Sequence, residues 1–146
     1  IVPNEELRNH FFSYLSANEF DMATIFAMTA TEAAFTKGEE WRKQMISYIE
    51  GNIDFVEEYL KANIPEITIM KPQASYLVWM NFSGLGLEHN ALVDMLINKA
   101  RLAMNDGAMF GKEGEQHMRL NVGTTRAILK QALDQLKDAV NEIKTK

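Results

Sequence analysis

The stretch of this chain in which residue type and spacing combine into a chemically useful surface is His117-Met118-Arg119-Leu120-Asn121-Val122. In a β-strand, alternation sends Met118, Leu120 and Val122 to one face and His117, Arg119 and Asn121 to the other. The polar face then carries a guanidinium between two neutral hydrogen-bonding groups. Such a fork, fixed by a strand whose reverse face is buried, grips a planar carboxylate through two parallel charge-assisted hydrogen bonds. An amino-acid substrate offers that group. The same pattern also fits a solvated strand face on which Arg119 pairs with a surface Asp or Glu, and the pattern alone leaves both open.

Other chemistries find no comparable arrangement. His10, His89 and His117 lie far apart and none has a second ligand at helical spacing, so no zinc site is expected. No serine sits in a Gly-x-Ser-x-Gly setting, and no glycine-rich loop follows a strand in the manner of a phosphate-binding turn. The segment Asn105-Asp106-Gly107-Ala108-Met109-Phe110-Gly111 either lets backbone approach a ligand or forms a turn that needs positive φ, and taken alone the turn is the simpler reading. Trp41, Trp79 and Met80 read as packing residues.

The elements that must position these residues follow from periodicity. Pro3 and Asn4 ahead of Glu5 and Glu6 suit a helix start, with Leu7, Phe11 and Leu15 along one side. A second helix is predicted from Asp21 through Ile25, Met28 and Phe35 to Gly38. A third carries Trp41, Met45, Ile49, Ile53, Val56 and Leu60 at three- or four-residue steps and ends near Asn63, before Pro65. The period then falls to two at Ile67–Met70, and after a turn at 72–75 the alternation over Tyr76–Phe82 predicts a central strand that is apolar on both faces. Ala91–Ala100 reads as an amphipathic helix, Arg101–Met104 as a short strand stopped by Asn105, Asp106 and Gly107, and His117–Val122 as the strand that carries Arg119. Thr124 is expected to cap a last helix striped by Leu129, Leu133, Leu136, Val140 and Ile143. This order describes an α+β fold with helices on one face of a small, mostly antiparallel sheet. The first two helices have little sheet of their own, and are expected to serve another part of a longer protein.

Composition sets the outer bounds. With 146 residues one ordinary domain is the default, and 47% hydrophobic against 24% charged residues is the balance of a chain that folds. A net charge of -5 gives no basic footprint, so neither nucleic acid nor an anionic membrane surface is an expected partner. The absence of cysteine removes disulfides and thiolate chemistry and fits a reducing compartment, so a cytoplasmic location is expected. Ile at position 1 suggests that the numbering begins inside a longer polypeptide.

Four segments in order add to this reading: Ile-Val-Pro-Asn-Glu-Glu-Leu-Arg at 1–8, Pro-Gln-Ala-Ser-Tyr-Leu-Val-Trp-Met at 72–80, Asn-Asp-Gly-Ala-Met-Phe-Gly at 105–111 and Met-Arg-Leu-Asn at 118–121. Together they resemble the C-terminal part of the class I/II aminotransferase family, in its cystathionine β-lyase-like (C-S lyase) subgroup. The resemblance covers nearly the whole chain, and its last two motifs with their spacing are its specific part. It implies the small C-terminal domain of a fold type I enzyme dependent on pyridoxal 5′-phosphate (PLP), with 61–146 as the small domain and 1–60 as helices bridging toward an absent large domain. It matches Arg119 to the family's arginine for the substrate α-carboxylate, and places Phe110 and Gly111 in a loop bordering the site. It implies a homodimer when complete, an amino-acid substrate, and either C-S lyase chemistry or, as the alternative, transamination. The family's cofactor lysine precedes the segment that resembles 1–8, and Lys37, Lys43, Lys61 and Lys71 do not match its motif. Covalently bound PLP and turnover are therefore not expected of these residues alone, because the cofactor supplies the electron sink. A non-catalytic interaction module, with Arg119 merely structural, is the reading from a different class.

Overall fold

Asn4 starts the first helix as its sequence suggests: its side-chain oxygen accepts from the Leu7 backbone N–H at 2.9 Å and so satisfies one of the free donors of the first turn. The computed structural model describes residues 2–20 and 24–145. By internal contacts it divides into two compact units, Ile1–Lys43 and Gln44–Lys146. The first holds α1 (Glu5–Ala17) and α2 (Ile25–Lys37), and α3 (Glu39–Asn63) begins in it and continues into the second. Thr24 caps α2 through its hydroxyl, and the start expected at Asp21 lies outside the described residues. Neither α1 nor α2 has a buried residue. Ile25, Phe26 and Phe35 are each at least 80% exposed.

The second unit is built around a four-stranded antiparallel sheet in the order β1-β2-β4-β3, formed by β1 (Thr68–Met70), β2 (Leu77–Asn81), β3 (Asn105–Asp106) and β4 (His117–Asn121). Two more helices belong to it, α4 (His89–Asp94) and α5 (Arg126–Lys144). The β2–β4 register pairs Val78 with Leu120 and Met80 with Met118 on one face. Val78, Met80 and Met118 join Ile53, Val56 and Leu60 of α3, Leu92 of α4, and Leu129, Leu133, Leu136 and Val140 of α5 in a single core. The α5 stripe is as the sequence predicts, with Thr125 rather than Thr124 as its cap. The α+β class with helices against one face of a small sheet is thus what the chain adopts.

Three expectations need correction. Trp41, which heads the predicted α3 stripe and reads as a packing residue, is 70% exposed, because α3 meets the core only from Ile49 onward. The strand expected at Arg101–Met104 is not there; β3 is the next two residues, which the sequence suggests as strand breakers. The cause is the end of the preceding helix: α4 runs into a wider π-turn at Met95–Lys99, and Arg101 then takes a left-handed conformation with φ 56°. With Leu102 N–H bonded back to Leu96 C=O at 2.9 Å across the left-handed Arg101, the widened helix terminus is closed, so the chain straightens only afterwards. β2 is central, as expected, but only its Val78 and Met80 face is buried; Leu77, Trp79 and Asn81 are half-exposed. That second face carries the candidate site.

Candidate substrate-carboxylate site

Arg119 occupies the middle of β4, where backbone pairing fixes its neighbours on the open face: Trp79 of β2 on one side and Asn105 of β3 on the other. Its Nη2 donates to Asn105 Oδ1 at 3.0 Å, and its Cζ lies 4.9 Å from the Phe110 ring centroid. Phe110 is backed edge-on by Trp79 at 5.7 Å, and Trp79 is stacked on His117 at 5.6 Å. The guanidinium is therefore held by an amide oxygen and an aromatic face, both neutral. Among the described residues no carboxylate lies within ion-pairing distance of it, and its Nε is buried without an acceptor. The alternative in which Arg119 pairs with a surface Asp or Glu is not what these residues form. A fixed cation with uncommitted charge is the arrangement that favours a planar anion.

The two polar residues that flank Arg119 on this face have other duties. Asn121 Oδ1 accepts from Gly123 N–H at 2.8 Å and shapes the turn after β4, while His117 Nδ1 lies 2.9 Å from Glu115 C=O and its ring lies on Trp79. Phe110, half-exposed, is the other expected site residue that meets the guanidinium. Gly111 follows it with φ 133° and ψ 169°, a conformation that a side chain would strain, and so it turns the loop rather than presenting a group. Behind β3 lies an apolar cavity of about 110 Å³, lined by Val93, Leu96, Leu102, Met104 and Met118 among others.

The end of β4 is fixed by a residue that the motif does not contain. Asn52 of α3 is fully buried, and its Nδ2 donates to the carbonyls of Val122 and Thr124, both at 2.9 Å. Its Oδ1 accepts from Arg126 Nε at 2.7 Å, and the Arg126 guanidinium lies over Phe55 at 4.9 Å. Asn52 falls three residues after Ile49 and four before Val56, so a polar residue inside the buried stripe is the sequence signal for this clasp. Trp79 and Asn105 had no such signal, because only the strand register brings them beside Arg119.

No protein-family model matches the chain. It is 37% identical over 141 residues to the cystathionine β-lyase PatB of Bacillus subtilis, covering 97% of this chain and 36% of that protein. A PLP-bound protein of Clostridium difficile 630 classed with the aminotransferases superposes with a TM-score of 0.92 at 33% identity, covering 97% of this chain and 36% of that one. The chain belongs to the PLP-dependent aminotransferase-like family, in its cystathionine β-lyase branch. It corresponds to the C-terminal part of these enzymes. Cystalysin of Treponema denticola, which contains PLP, shares the fold with a TM-score of 0.92 at 25% identity over 98% of this chain and 36% of its own. The chain spans about a third of the length of the relatives it matches. In family terms, the α+β fold with its four-stranded antiparallel sheet matches the small C-terminal domain of the PLP-dependent fold.

Proposed function

We propose that this chain is the substrate-recognition part of a PLP-dependent C-S lyase of the cystathionine β-lyase type, in which Arg119 binds the α-carboxylate of an amino acid. The observation that carries the reading is the guanidinium itself, fixed by Asn105 and Phe110 without a carboxylate partner among the described residues. β4 and its buried reverse face hold the fork still, and the Trp79–Phe110 pair walls one side of it against water. A bound carboxylate would therefore be oriented rather than merely attracted.

PLP, held by the complete enzyme, supplies the electron sink for cleavage at the β-carbon. Lys43, Lys61, Lys71, Lys99, Lys130 and Lys144 each lie within ion-pairing distance of a carboxylate, and the hydrogen bond to Asp54 holds the Lys71 ammonium above its usual range, so none of these six is offered as a cofactor anchor. No chemical step is assigned to them, and these residues alone are inactive on this reading. Residues 1–60 form the bridging part and 61–146 the small domain. The apolar exposure of Ile25, Phe26 and Phe35 supports a bridging role, since such surface is normally covered. The complete enzyme acts as a cytoplasmic homodimer on this account, and no helix among the described residues is long and apolar enough to cross a membrane.

Transamination is the second reading, favoured by the likeness to the Clostridium difficile protein. The two separate in one assay: the PLP-loaded enzyme carrying this chain should release pyruvate from cystathionine with no 2-oxo acid present. In that assay Arg119→Ala should lower kcat/KM by about 30-fold, the equivalent of about 2 kcal/mol for a charge-assisted pair. Pyruvate release unaffected by the substitution would remove Arg119 from the site.

A further inference from the structure

The grip described above depends on where Asn105 and Phe110 sit, Asn105 at the start of β3 and Phe110 on the segment that joins β3 to β4. Its neck is closed by backbone packing of Gly107 on Gly114: a Cβ on Gly114 would come to 2.0 Å from Gly107 O, and one on Gly107 to 2.3 Å from Gly114 O. Two glycines are needed for that approach. They do not fix the lateral position of the neck, because they present no directional side chain.

His89, the first residue of α4, supplies direction. Its Nε2 lies 3.1 Å from Asp106 Oδ2, at the start of the segment, and its Nδ1 accepts from the Gln116 backbone N–H at 3.3 Å, at the end of it. A backbone N–H only donates, so Nδ1 must be the bare nitrogen and Nε2 must carry the proton given to Asp106. The neutral imidazole thus joins both ends of the loop to α4. Asp106 passes the restraint on in two directions. Its Oδ1 accepts from Ala108 N–H at 2.9 Å and starts the 3-10 turn that ends in Phe110, and its backbone neighbour Asn105 is the residue that holds Arg119. At the other end Gln116 sits at φ 65°, a strained conformation for a non-glycine residue, which needs outside support. The Phe82 N–H bond to Gln116 C=O at 2.9 Å and the bond to His89 provide it.

The geometry points to His89 as a positioning residue for substrate carboxylate binding, acting through Asp106 on the Asn105 and Phe110 contacts of Arg119. This rests on the assignment of Arg119 given above. The role is separable from general packing, because each nitrogen of the ring has a different partner. In His89→Gln the amide nitrogen reaches the Nε2 position and donates to Asp106. In His89→Asn the side-chain oxygen reaches the Nδ1 position and accepts from Gln116.

The test uses the PLP-loaded enzyme carrying this chain, with kcat and KM measured for cystathionine beside His89→Ala, His89→Gln, His89→Asn and Arg119→Ala. His89→Ala is expected to raise KM on the order of tenfold with kcat within about twofold, since it misplaces the grip and leaves the reacting atoms alone. His89→Gln should recover most of that rise and His89→Asn little of it. Asp106→Asn keeps the bond to Ala108 and sets two donors against each other at Nε2, so it should copy His89→Ala even if the alanine variant fails to fold. Unchanged KM in His89→Ala or Asp106→Asn, beside a raised KM in Arg119→Ala, would overturn the positioning role alone. An equal fall in kcat with no recovery by glutamine would also overturn it. Unchanged kinetics in Arg119→Ala would bring down the carboxylate assignment, and this inference with it.

Discussion

Replacing Asn52 by alanine should cost this chain more stability than any single methyl lost from its core, and the amount follows from its contacts. The substitution strands the carbonyls of Val122 and Thr124 and the Nε of Arg126. Val122 is fully buried, so its carbonyl bears the larger penalty, about 2 kcal/mol; the other two, closer to solvent, add roughly 1 kcal/mol each. The sum is about 4 kcal/mol, before any cavity contribution. With a urea slope on the order of 2 kcal/mol/M, the unfolding midpoint falls by about 2 M. Asn52→Leu refills the space without restoring a donor or acceptor, so it should be nearly as damaging; Ile53→Val, one turn position away, should cost about 1 kcal/mol. Urea unfolding followed by circular dichroism and by tryptophan fluorescence measures all three, and coincidence of the two signals licenses the comparison. A loss for Asn52→Ala no greater than for Ile53→Val would mean that the clasp does not hold the end of β4, and the reasoning would fail.

Two further outcomes are expected from groups away from the grip. Gly114→Ala places a methyl against Gly107 O, so it should destabilise the chain by about 2 kcal/mol or more and raise KM in the complete enzyme; normal values of both would refute the closed neck. Tyr59 donates to Asp134 Oδ1 at 2.5 Å, and burial, followed by that bond, pushes its phenol upward from the usual value near 10. Because the folded value is the higher one, the contribution is complete below about pH 10 and disappears as pH rises through the raised value. Tyr59→Phe should accordingly flatten the alkaline limb of stability against pH, and an unchanged limb would contradict the coupling. Asp134 is shifted the opposite way, held low by Lys130 and then by Tyr59, so its contribution exists above about pH 4 and is lost on acidification.

How far the sequence reaches is clear from individual residues. The Ile53–Leu60 part of the α3 stripe, the α5 stripe and the β4 alternation were legible because each repeats a period over several residues, whereas Trp41, in phase with the same α3 stripe, stays exposed. Arg119 was legible as a cation on a strand, and its match to the aminotransferase-like family supplied a role. β3 was not legible, since two residues carry no period and its position depends on where Arg101 ends the helix before it. The side chains that surround Arg119 are separated from it by 40 positions for Trp79 and 14 for Asn105, and only register unites them. The His89–Asp106 contact likewise joins residues 17 apart, across a helix terminus that no local pattern foretells. Asn52 was the exception: a polar residue within an apolar stripe announces a buried bond, although not its partners.

The central claim is that the Arg119 guanidinium receives a carboxylate, and it is tested most directly by pairing a change in the enzyme with a change in the ligand. Binding of an unreactive amino acid and of its α-carboxamide would be measured by spectral titration of the PLP-loaded enzyme and of its Arg119→Ala variant. The account predicts that the unaltered enzyme prefers the acid by about 30-fold and that the variant loses most of this preference while binding the amide as before. An undiminished preference for the acid in the variant would show that some other group receives the carboxylate.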